Sequence, residues 1–142
     1  MAYAGNISPL EAWGLLQGDA KAQLVDVRTA AEWSFVGVPD PSKLGRAVIL
    51  AEWQSYPAMG RNPQFEAVVS ERLKAAGATF ETPVAFLCRS GARSQAAAIA
   101  MTAAGYVKCF NVAGGFEGDL NAERHRGEAG GWKSCGLPWV QT

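Results

Sequence analysis

Cys88-Arg89-Ser90-Gly91-Ala92-Arg93-Ser94 is the segment of this chain best equipped for chemistry. It follows an apolar run, Val84-Ala85-Phe86-Leu87, and leads into an alanine-rich stretch with helical character. A helix start carries about half a positive charge and several unpaired N–H groups. A tight loop ahead of it turns further N–H groups inward and forms an anion cradle. Gly91 supplies backbone freedom, and Arg89 and Arg93 add two permanent cations. A thiol in that setting ionises more easily than a free one, because each of these features favours the thiolate. The thiolate is a nucleophile, so the segment is expected to be a cysteine-based covalent site with Cys88 as its reactive atom. The bland alternative is that Cys88 is a small buried apolar residue.

The other candidates are weaker. Cys109 lies inside an apolar run and is expected to pack in the core. Cys135 lies in a glycine-rich stretch near Trp139 and has no activating neighbour in the sequence. His125, in Glu-Arg-His-Arg, is expected to face solvent and take no catalytic part. The count of one histidine excludes a multi-His metal site, and no C-x-x-C pair is present. No metal and no cofactor are expected.

The elements that must position the thiol can be read in order. Ser8-Pro9-Leu10-Glu11 opens a helix with a capping box, which Gly18 ends; Leu10, Trp13 and Leu16 share one face. Gln23–Val27 is a short β-branched run, expected to be a buried strand. Thr29–Phe35 is expected to be a short helix with Thr29 as its cap and Glu32 in its first turn. Val36–Ser42 is turn-rich, Arg46–Leu50 is another short strand, and Glu52–Arg61, with Pro57 and Gly60, is expected to be a loop. Asn62-Pro63 opens a helix whose positions Phe65, Val68, Val69, Arg72, Leu73 and Ala76 share one face, with Gly77 closing it. Pro83–Leu87 is a third strand, about Ser94–Ala104 a helix, Tyr106–Val112 a fourth strand, and Gly114-Gly115 a turn. Trp132 and Trp139 are expected to anchor the remaining stretch onto the body. Short apolar strands alternating with helices imply a parallel sheet covered on both faces, with ligands beyond the carboxyl ends of the strands. Cys88 stands at one such end.

The chain has 142 residues, one domain's worth, and is 49% apolar and 18% charged, which excludes a disordered chain. Thirteen basic residues balance thirteen acidic ones, so no nucleic acid is expected as a partner. Residues 1–9 show no basic region followed by an apolar one. The longest uncharged stretch near the middle, Ser94–Val107, is shorter than the roughly 20 residues a membrane helix needs. No membrane partner is expected, and a cytoplasmic, reducing setting suits the odd cysteine count.

Three segments, in order, resemble the rhodanese (sulfurtransferase) family. They are Leu24-Val-Asp26-Val-Arg28 with Glu32-Trp33, then Val84 to Ser94, then Asn111-Val-Ala-Gly-Gly115-Phe116. The resemblance covers about residues 8–120. It implies a single rhodanese-like α/β domain over 1–142 with a central, mainly parallel five-stranded sheet and helices on both faces, residues 121–142 forming an extension packed on the body. It implies that Cys88 takes a sulfane sulfur from a small anionic donor such as thiosulfate, forms a persulfide, and passes the sulfur to cyanide, a thiol or an acceptor protein. Arg89, Ser90, Gly91, Ala92, Arg93 and Ser94 would cradle the terminal sulfur, with Arg89 and Arg93 attracting the donor. Asp26, Arg28 and Glu32 would support the loop; alternatively, Arg28 and Glu32, four apart, form an ordinary surface pair. The chain departs from the family at Val36-Gly-Val-Pro-Asp40, where a Gly-His-Ile-Pro-Gly-Ala stretch is usual.

Two rivals stand beside this expectation. A cysteine phosphatase or arsenate reductase needs five residues between Cys and Arg, and here Cys88 and Arg93 are separated by four. A partner-binding or redox-sensing module of the same fold would not need the nucleophile, and a sensor would need a second thiol near Cys88.

Overall fold

The computed structural model describes residues 2–55, 60–126 and 130–141. In chain order it holds β1 (Gly5–Ile7), α1 (Pro9–Gly18), β2 (Gln23–Asp26), α2 (Ala30–Val36), β3 (Val38–Pro39), a 3-10 turn (Ser42–Leu44) and β4 (Ile49–Leu50). There follow β5 (Gln54–Ser55), β6 (Gly60–Arg61), α3 (Phe65–Ala75), β7 (Val84–Leu87), α4 (Ala92–Ala103), β8 (Cys109–Val112), α5 (Gly131–Ser134) and β9 (Trp139–Val140).

Five strands form one sheet in the order β1-β8-β7-β2-β4, and every pairing in it is parallel. Alternation along β7 divides the core. Val84 and Phe86 face α3 and α4, meeting Phe65, Val69, Leu73, Ala97, Ala98 and Met101. Ala85 and Leu87 face α1 and the 130–141 segment, meeting Ala12, Leu16, Phe116, Trp132 and Leu137. Both faces of the sheet are therefore covered. No helix among the described residues is long and apolar enough to cross a membrane.

Local rules account for the helix starts. Ser8 accepts the Glu11 N–H while the Glu11 carboxylate accepts the Ser8 N–H, and Thr29 and Glu32 repeat the arrangement. The buried face of α1 is Pro9, Ala12 and Leu16; Leu10 points outward, 59% exposed, because the i, i+4 pair Ala12 and Leu16 meets the sheet instead. The strand expected over Arg46–Leu50 narrows to two residues, because Arg46 turns its guanidinium onto the carbonyls of Leu16, Asp19, Ala22 and Leu44. The expected loop at 36–42 holds one strand, and that at 52–61 holds a strand pair. Val38–Pro39 runs antiparallel to Trp139–Val140, and Gln54–Ser55 to Gly60–Arg61; Pro57 lies outside the described residues. β1 has no counterpart in the sequence reading.

The 130–141 segment is bound tightly. Trp132 is fully buried, meets Trp13 edge-on at 5.9 Å, and donates its indole N–H to Pro138 O at 2.7 Å. Trp139 stays 39% exposed and meets Phe116 edge-on, with the Lys133 ammonium 4.0 Å from its ring.

Candidate active site around Cys88

β7 is the middle strand of the sheet, and Cys88 is the residue that follows it. The thiol is 1% exposed and closes the carboxyl end of the apolar face made by Val84 and Phe86. The loop beyond it must reverse direction before α4, and Gly91 makes the reversal with φ at +127° as the residue capping the helix.

The turn after β8 clamps the loop from outside. Phe116 N–H donates to Cys88 O at 2.8 Å, and Glu117 and Gly118 N–H donate to Arg89 O at 3.0 and 3.2 Å. With these carbonyls held outward, the Gly91 N–H is free to donate to Cys88 Sγ at 3.1 Å. The Ser94 hydroxyl, from the first turn of α4, lies 3.1 Å from the same sulfur. Two donors thus converge on one buried sulfur at the N-terminus of a 12-residue helix, where the helix dipole favours negative charge.

The remaining expected residues fall into two ion pairs. Arg28 and Asp26 are both wholly buried and are paired at 2.6 Å, with Arg28 also donating to Gly37 O and stacked 4.3 Å from the Phe116 ring. Glu32 does not pair with Arg28. It takes Arg93 in a two-pronged contact at 2.7 and 2.9 Å, so the surface-pair alternative gives way to a bridge between α2 and the thiol loop. The two cations expected beside the thiol differ in their partners. Arg93 spends its charge on Glu32, and Arg89 alone stands exposed, because a planar guanidinium half removed from water binds a carboxylate more strongly than solvent does. Ser90 is half-buried and Ala92 exposed.

Burial by itself pushes the Glu32 carboxyl up, but the Arg93 guanidinium and the Thr29 backbone and side chain outweigh it and hold Glu32 below its usual value of 4.5. The Glu32 contacts raise Arg93 in turn, against its burial, with smaller contributions from Cys88 and Asp26. A carboxyl depressed on folding stabilises fully above its unfolded value and ceases to do so as pH falls through the folded one. Glu32→Gln is therefore expected to cost about 1 kcal/mol at neutral pH, the upper end for a two-pronged, partly covered pair. Urea unfolding should show that gap closing as pH falls below 4.5, where the wild-type pair is also lost.

The other polar candidates lie elsewhere. Burial raises the Cys109 thiol to about 11, against a smaller opposing effect of Thr102, so Cys109 is a neutral core residue. Cys135 and His125 are exposed. Asn111 is the residue the sequence reading passed over. Its Oδ1 accepts from the Ser94 hydroxyl at 2.6 Å, and its place in the closing segment Asn111–Phe116 was the only signal in the sequence.

The geometry agrees with what the chain is similar to. Residues 8–122 match the profile of the Rhodanese-like domain. An uncharacterized protein of Rickettsia conorii, RC0915, is 37% identical over 134 residues, covering 94% of this chain and 95% of the relative. The crystal structure of Rv0390 from M. tuberculosis superposes with a TM-score of 0.88 at 48% identity, over 99% of each chain. A polysulfide-sulfur transferase homodimer from Wolinella succinogenes, at 22% identity, shares the fold with a TM-score of 0.57 over 96% of this chain and 78% of its own. A parallel five-stranded sheet with a cysteine loop on its middle strand, matched over this extent, makes the chain a member of the rhodanese-like family.

Proposed function

We propose that the protein is a sulfurtransferase that works through a persulfide on Cys88. The observation that carries this reading is the convergence of the Gly91 N–H and the Ser94 hydroxyl on Cys88 Sγ, each at 3.1 Å. The Cys88 thiolate attacks the outer sulfur of thiosulfate. A new S–S bond forms, the donor's own S–S bond breaks, and sulfite leaves with the bonding electron pair. Cyanide or an acceptor thiolate then attacks the outer persulfide sulfur and releases the Cys88 thiolate. The loop donors and the N-terminus of α4 stabilise negative sulfur in both states. Arg89, exposed beside the loop, draws the anionic donor, and the acceptor is a small thiol or a thiol on a partner protein. Four residues between Cys88 and Arg93 make a loop sized for one sulfur atom and one residue short of a phosphate cradle. Three free cysteines suit a reducing, cytoplasmic setting.

Incubation with thiosulfate should leave the protein heavier by one sulfur atom, and cyanide should restore the mass and yield thiocyanate. Cys88→Ser should lose the adduct entirely. An adduct that persists on Cys88→Ser, or none on the wild type, overturns the reading; rapid release of phosphate from p-nitrophenyl phosphate would favour a phosphatase.

A further inference from the structure

The Ser94 hydroxyl has one proton and two acceptors that compete for it: Cys88 Sγ, which also accepts from the Gly91 N–H, and Asn111 Oδ1. Its Oγ lies 3.1 Å from Cys88 Sγ and 2.6 Å from Asn111 Oδ1. A third neighbour, Gly91 O at 3.3 Å, already accepts from the Gln95 N–H. Ser94 is wholly buried, Cys88 1% exposed and Asn111 4% exposed, so water does not settle the competition. The amide cannot turn away either. Asn111 Nδ2 donates to Asn6 Oδ1 at 3.0 Å, and Asn6 Oδ1 also accepts from the Tyr3 hydroxyl at 3.0 Å, which holds Asn111 Oδ1 toward Ser94.

We infer that Asn111 is a positioning residue that competes with the Cys88 thiolate for the Ser94 proton and so sets the pH at which the nucleophile becomes available. While the sulfur carries its proton, the chain runs from Cys88 S–H to Ser94 Oγ and from the Ser94 hydroxyl to Asn111 Oδ1, and every group is served. Once the sulfur is ionised it accepts, and Ser94 must turn its proton from Asn111 to Cys88. Asn111 Oδ1 is then left buried without that donor, which is costly. Asn111 therefore favours the thiol form, and Ser94 favours the thiolate. The charged groups around the sulfur make none of these hydrogen bonds: Arg93 on α4 with Glu32 of α2, Asp26 with Arg28 at the end of β2, and Arg89 in the loop.

This inference rests on Cys88 as the reacting thiol, and its readout involves no sulfur transfer, so the two can fail separately. The rate of iodoacetamide alkylation is followed against pH on the peptide that contains Cys88, which removes interference from exposed Cys135. Asn111→Val and Asn111→Ala should both move the profile to lower pH by roughly one unit, the size of a hydrogen bond to a charged group. Ser94→Ala should move it to higher pH. The double variant Ser94→Ala/Asn111→Ala should match Ser94→Ala alone, because Asn111 acts through Ser94. A folded Asn111 variant whose profile is unchanged or moves upward overturns the inference, as does a double variant that differs from Ser94→Ala. Two Asn111 replacements of different size keep the result readable if one fails to fold.

Discussion

Gly115→Ala is expected to lower sulfur transfer at Cys88 about 100-fold or more. A Cβ at this position would lie 2.4 Å from Cys88 O and 2.6 Å from the Arg89 carbonyl carbon, and both are backbone atoms that cannot swing aside. Gly115 also sits at φ +60°, which adds a smaller conformational cost. The loop must move outward, and it must break or lengthen the Phe116-to-Cys88 and Glu117-to-Arg89 hydrogen bonds that hold the thiol in register. A displacement of about 1 Å is enough for a 100-fold loss when a reaction depends on positioned groups. Overpacking of this kind costs about 1–3 kcal/mol, so the variant should still fold and should be assayed against its unfolding curve. Transfer within a factor of three of the wild type would show that the clamp has no catalytic consequence.

Asp26→Ala should be strongly destabilising. It removes the carboxylate paired with Arg28, whose guanidinium is wholly buried and whose Nη1 has no acceptor among the described residues even in the native pair. What remains for the cation is the Gly37 carbonyl and the face of Phe116. Stranding a buried charge costs about 3–5 kcal/mol, a large share of the 5–15 kcal/mol that holds a domain folded. Urea denaturation should show the loss, and replacing both partners, as in Asp26→Leu/Arg28→Met, should recover most of it. A loss under 1 kcal/mol for Asp26→Ala would mean the pair is dispensable.

Much of this was legible in residue order. The capping boxes at Ser8/Glu11 and Thr29/Glu32 are local patterns, and both form. The apolar runs of β2 and β7 are short and uninterrupted, as buried parallel strands must be, and Gly105 and Gly77 mark helix ends. What escaped was long-range. β1 is Gly-Asn-Ile, three residues of which two are poor strand formers, and it becomes a strand only because β8 offers a parallel edge. The β3–β9 pair joins Val38 to Val140, and neither partner looks like a strand alone. At the site, Cys88 and its loop could be seen at once, because the cysteine, the glycine and the helix start are adjacent. The fate of Arg93 could not, because Glu32 lies 61 residues away and Arg28 offered a nearer partner. Asn111 was hidden for the same reason, 17 residues from Ser94 and on β8 rather than α4.

The clamp on Arg89 and Cys88 also has a consequence for the order in which the molecule is made. Among the described residues, every backbone donor that fixes those two carbonyls comes from residues 116–118, and that turn is in turn held by Trp132 N–H on Gly115 O and Lys133 N–H on Phe116 O. The ribosome therefore delivers the thiol well before the residues that anchor its loop. β1, made first, must wait for β8 before it has a partner. Contacts of such long span form late and slowly. On a nascent chain Cys88 is an ordinary cysteine on a loose loop, and its special environment exists only after the following forty-odd residues have been threaded into place.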